Sequence, residues 1–121
     1  MRKAILSALA LTMLGAPALA DIYPVSGPWG ESASTEKGPI DCAGKRVIAF
    51  NGDQRTDSMG GVPAYRNKSV TMTGAKSYNI VDVFSNGQIN NASVNYTLLR
   101  VDADHIELSG QTGALKLQRC G

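Results

Sequence analysis

The sequence predicts an all-β domain, a small antiparallel meander barrel of six to eight strands, with an open β-sandwich as the alternative. Three observations carry this. Beyond the first twenty residues no segment sustains a helical apolar period. Short runs of alternating apolar and polar residues follow one another, and turn-forming residues such as Asn51-Gly52 and Asn86-Gly87 separate them. The chain also has two cysteines, Cys42 and Cys120, placed to tie an early strand to the last one.

The N-terminus reads as a secretory signal. Arg2 and Lys3 precede an apolar stretch, Ala4 to Gly15, that is too short to span a bilayer. Ala18-Leu19-Ala20 is a small-x-small cleavage site. Residues 1–20 are therefore expected to be a signal peptide, and 21–121 a single disulfide-stapled β-domain in the periplasm or outside the cell. No cysteine follows the apolar stretch to take a lipid, and no later run could form a membrane helix, so no membrane anchor is expected. The chain has 12 Lys and Arg against 10 Asp and Glu. Without Arg2 and Lys3 the two signs balance, which argues against nucleic acid and anionic membrane as partners.

The elements follow in order. Asp21 to Pro28 is an extended lead-in with two prolines. A first strand begins around Trp29 and its pattern continues into "ESASTEKGPID", residues 31–41, where Lys37-Gly38-Pro39 turns the chain. "KRVIAF" (45–50) is β-branched and aromatic, and "QRTDS" is its returning partner. "MGGVPAY" (59–65) is rich in Gly and Pro and reads as a loop. "SVTMT" (69–73) places Val70 and Met72 on one face. "SYNIVDVF" (77–84) comes next. In "QINNASVNYTLLRV" (88–101), Ala92, Val94, Tyr96 and Leu98 share one face, and the length implies a bend or bulge near Asn90-Asn91. "HIELS" (105–109) and "ALKLQRC" (114–120) complete the meander. A barrel of this width tends to be filled by side chains, and Phe50, Tyr78, Phe84 and Tyr96 are the bulky candidates.

An even cysteine count in an exported chain reads as a disulfide. Neither cysteine sits in a C-x-x-C motif, so a redox role is not indicated.

The one tryptophan, Trp29, follows Gly27-Pro28, and Arg119 lies in the last strand. In an up-and-down barrel the first and last strands pair, and the Arg119 guanidinium would then cover the indole. Gly27 would let the chain enter without a Cβ clash. This resembles the lipocalin and wider calycin pattern, in which G-x-W opens the first strand and a basic residue on the last strand caps the Trp. The resemblance implies a closed barrel with Gly27, Trp29 and Arg119 at its closure, and a binding role. The chain also resembles small exported proteins of alphaproteobacteria, which implies export and a single disulfide.

Catalytic and metal motifs are not found. His105 is the only histidine, it reads as an exposed turn residue, and no nucleophile motif accompanies it. Asp102, Asp104, His105 and Glu107 are the densest group of ligand-type side chains, but their spacing fits no metal motif. Gly52, Gly60, Gly61 and Gly87 do not precede a helix, so no phosphate loop is implied. The sequons at Asn67, Asn91 and Asn95 read as unmodified. Asn90, Asn91, Ser93 and Asn95 read as the solvated face of a strand. The expectation is a non-enzymatic module without cofactor or metal. It would act through a protein contact in the cell envelope, using residues 52–66 or the Asn-rich strand. The alternative is a calycin-like binder of a small hydrophobic or carbohydrate ligand.

Overall fold

The computed structural model describes residues 22–111 and 113–121; the expected signal peptide lies outside them. Period-two alternation of apolar and polar residues becomes eight strands. They are β1 (Gly27–Glu31), β2 (Val47–Asn51), β3 (Gln54–Asp57), β4 (Tyr65–Met72), β5 (Ser77–Phe84), β6 (Ala92–Arg100), β7 (His105–Gly110) and β8 (Gly113–Arg119). Each pairs antiparallel with the next, and β1 pairs with β8, so the sheet closes into a barrel. Closure leaves no sheet edge running the length of the domain, and the open sandwich is excluded.

The inward phase of each strand builds the core. Trp29, Ile48, Phe50, Ile80, Leu98, Ile106 and Leu117 are all buried. They fill the base of the barrel, the end where β1 begins and β8 finishes. Tyr23, from the extended lead-in, closes this base from below. It is 3% exposed, and its ring meets Phe50 edge-on at 5.0 Å.

The seams are uneven. β5 and β6 pair from Ser77↔Leu99 to Phe84↔Ala92. β6 and β7 pair only between Thr97↔Ser109 and Arg100↔Ile106, so the first half of β6 projects past β7. β3 and β4 share two pairs, Gln54↔Arg66 and Arg55↔Tyr65. The strand expected over residues 88–101 begins only at Ala92, so no bend or bulge interrupts it near Asn90-Asn91; Asn91, with a φ of 56°, belongs to the connection that leads into β6. A register shift also falls in β4, between Asn67 and Ser69.

Several sequence expectations need correction. Tyr65, placed in a loop by its Gly/Pro-rich neighbours, begins β4. Residues 52–66 are not one loop, because β3 lies inside them. Met72 shares the phase of Val70 but sits at the strand end and is 61% exposed. The first strand stops at Glu31.

Residues 32–41 instead form a strap along the outside of β8. Ser32 N–H donates to Lys116 O at 3.0 Å and Ile40 N–H to Arg119 O at 2.9 Å. Gln118 pins the strap: its Nε2 donates to Glu36 O and Gly38 O, and its Oε1 accepts from Ser32 Oγ. The Cys42–Cys120 disulfide, with 5.6 Å between Cα atoms, secures the far end. It closes a loop of 78 residues, worth about 4 kcal/mol on the chain-entropy model.

Two glycines have defined reasons. Gly27 adopts a φ of +82°, and a Cβ there would meet nothing within 4 Å. It is needed for backbone conformation rather than for space. At Gly30 space is what matters: a Cβ would land on Cys42 Sγ.

Candidate functional site

The base is packed and the other end is not. A cavity of about 620 Å³ opens there, within the roughly 300–1,000 Å³ usual for ligand pockets. Ile48, Leu108 and Leu115 give it apolar walls, and Arg55, Tyr65 and Tyr96 line it more polarly. Glu31, Arg46 and Asp57 stand around it.

The cavity persists because inward positions of β3 and β5 hold charges instead of bulk. Register places Arg55 opposite Phe50, and Asp57 opposite Ile48, so strand alternation points both into the barrel. On β5 the inward positions are Ile80 and Asp82, each 0% exposed. Asp82 is fully satisfied. Its Oδ1 accepts from Tyr23 OH at 2.9 Å and from Asn67 Nδ2 at 3.2 Å. Its Oδ2 accepts from Arg55 Nε at 2.7 Å and from Tyr96 OH at 2.8 Å. Burial is the main reason both phenols are held well above the ordinary tyrosine range. The Asp82 carboxylate adds to this, while Arg55 opposes it.

The Arg55 guanidinium is also stacked. Its carbon lies 3.9 Å from the Tyr65 ring centroid and 4.8 Å from that of Tyr96. Only Nε has a hydrogen-bond partner among the described residues. The terminal nitrogens are nevertheless not sealed off, since the one buried, unpartnered side-chain nitrogen or oxygen among the described residues is His105 Nε2. They reach the solvent of the cavity that Arg55 lines. Nearer the opening, Arg46 and Asp57 form a bidentate pair, Nε to Oδ1 at 3.1 Å and Nη2 to Oδ2 at 2.7 Å.

The aromatic residues expected to fill the barrel divide between its two ends. Phe50 is buried in the base and Tyr78 packs against that core. Phe84 meets Tyr65 edge-on at 5.3 Å, and Tyr96 hydrogen-bonds Asp82.

At the closure, Trp29 and Arg119 are register partners. Trp29 is 3% exposed, and its Nε1 donates to Ser26 O at 3.1 Å. The Arg119 guanidinium turns to the Asp104 carboxylate, which also accepts the Gly38 N–H.

His105 is not the exposed turn residue that its neighbours suggested. It is 8% exposed, because the strap lies over β7 and β8. Its Nδ1 is 2.7 Å from Asp102 Oδ1, and a second cavity of about 110 Å³ lies between it and residues 32–35. Asp102 and Asp104 are thus committed to separate partners. No group of three or more His, Cys, Asp or Glu is placed to hold a metal among the described residues. Asn90, Asn91, Ser93 and Asn95 are all exposed. Asn67 turns its amide inward to Asp82.

Fold and site together define a closed eight-stranded antiparallel barrel, stapled by one disulfide, packed at its base and hollow at its mouth. The disulfide is consistent with an oxidising compartment outside the cytoplasm. No protein-family model, no curated protein and no solved structure matches the chain.

Proposed function

We propose that the protein is a non-enzymatic, calycin-like binder of a small molecule, working in the periplasm or outside the cell. The observation that carries this is the mouth cavity of about 620 Å³, which ends on a buried guanidinium with unpartnered donors. Its lining is about equally polar and apolar, and a concave site that sets directed polar groups among apolar walls is a usual form of small-molecule site. The reading of a protein-interaction module draws on a different feature, the projecting first half of β6, whose free edge is open to an added strand.

The test is native mass spectrometry of the protein purified gently from envelope extract. A retained small-molecule mass is expected, and it should be lost in Leu115→Trp, which fills the cavity. A bare protein mass together with a stoichiometric protein partner would favour the other reading.

A further inference from the structure

We infer that the ligand of the mouth cavity is electrically neutral and presents an oxygen acceptor, such as an amide, ketone or ester carbonyl, to the terminal N–H groups of Arg55. This deepens the small-molecule reading and rests on it.

The inner end of the cavity offers donors. The Arg55 side chain is 9% exposed, and its Nε is committed to Asp82. A guanidinium has no acceptor, and its terminal nitrogens still carry N–H donors. The Tyr65 and Tyr96 rings lie against it, and because a guanidinium is planar those donors act along its edge. The hydroxyl of Tyr96 is not a competing donor, because it is spent on Asp82. A ligand group that meets the free edge of Arg55 must therefore accept a hydrogen bond.

That group is not an anion. Arg55 is already balanced by Asp82 at 2.7 Å, and Arg46 by Asp57 at 2.7 Å. Glu31 adds a carboxylate with no such partner among the described residues. Counting Glu31, Asp57 and Asp82 against Arg46 and Arg55, the site has one negative charge in excess. An entering carboxylate would lose its water without gaining an unbalanced cation. A cation fares no better at the inner end. It would meet a guanidinium, which already takes one face of each of the Tyr65 and Tyr96 rings. The walls at Ile48, Leu108 and Leu115 suit a hydrocarbon body. Together these features describe a neutral amphiphile, carbonyl end inward.

The experiment titrates octanamide, octanoate and octylamine, each below its aggregation concentration, into 15N-labelled protein. The Arg55 Nε–Hε resonance is read alongside calorimetry. Octanamide is expected to bind saturably and to shift that resonance, with the two ions at least about tenfold weaker, or about 1.4 kcal/mol. Arg55→Lys keeps a charge beside Asp82 but loses the fork, and should weaken octanamide about fivefold or more. If that variant does not fold, Glu31→Gln, at an exposed position, provides the second arm. It should narrow the ratio between octanamide and octanoate. Octanoate binding as tightly as octanamide would overturn neutrality and leave the cavity a binding site. Octanamide binding without moving the Arg55 resonance would overturn the role of Arg55. Binding of no probe, in wild type and Leu115→Trp alike, would overturn the small-molecule reading as well.

Discussion

Arg55 and Asp82 are 27 residues apart in sequence, and their charged groups meet at 2.7 Å inside the barrel. Burying such a pair contributes little net stability, because both charges lose their hydration, but breaking it strands a buried charge. Asp82→Ala should therefore lower stability by about 3–5 kcal/mol, read from urea unfolding followed by Trp29 fluorescence. Arg55→Met and Asp82→Leu should each destabilise, and the double variant should lose less than the two single losses combined. If the two losses simply add, the pair is not the coupled unit described here.

Alkaline titration probes the same cluster. Tyr23 and Tyr96 have raised pKa values in the folded protein. Their contribution to stability is complete below about pH 10, the ordinary tyrosine value. It is lost as pH rises further, because the unfolded chain releases protons that the barrel retains. At about pH 11 the folded protein should show no near-ultraviolet phenolate signal from these two residues. Tyr23→Phe and Tyr96→Phe should then leave the native titration curve unchanged at that pH. A drop in signal in either variant would show that its phenol ionises in the native state.

Acid acts on a different pair. Burial opposes the charge on Asp57, but hydrogen bonds from Arg46 and from the Met59 N–H outweigh it and hold its pKa below the usual carboxylate value. This stabilisation is present above about pH 4 and fades as pH falls through the lowered native value. Arg46→Gln should remove it, costing no more than about 1 kcal/mol at neutral pH because Arg46 is partly solvated. The acid-unfolding midpoint should move to higher pH. An unmoved midpoint would mean the pair is indifferent to folding.

The disulfide and Gly30 are coupled by contact. Blocking and mass analysis of denatured, unreduced protein should find no free thiol. Cys42→Ser should cost about 2–5 kcal/mol. Gly30→Ala should cost about 1–3 kcal/mol by overpacking against Cys42 Sγ, and much of that penalty should vanish in a Cys42→Ala/Cys120→Ala background. Equal penalties in both backgrounds would place the strain elsewhere.

The barrel was legible in the sequence because period two is a local signal. Runs such as Ala92, Val94, Tyr96 and Leu98 declare their face without any neighbour. The pairing of β1 with β8 followed from reading the meander as a closed barrel. The interior charges were not legible, because a charge counts as buried only when its partner is known. Asp82 sits in phase with Ile80 and Phe84 within an apolar run, and Arg55 faces Phe50 across a tight turn. Those phases were the available signal: an ionisable residue on the inward face of an otherwise apolar strand. The strap was hidden for another reason. Residues 32–41 are small and polar, and what holds them is Gln118 and a disulfide on the far side of the chain. His105 was misread with them, since nothing beside it in sequence covers it.

The short β3–β4 pairing has a further consequence. The β1–β8 seam is cross-linked through the strap, so it is the best-guarded join in the ring, and β3–β4, with two residue pairs, is the least. A circular permutant that joins Ile22 to Gly121 through a linker and opens the backbone between Gly60 and Gly61 should keep the same ring. The place where this barrel most readily tolerates a break is an interior turn, a third of the way round from the seam that closes it.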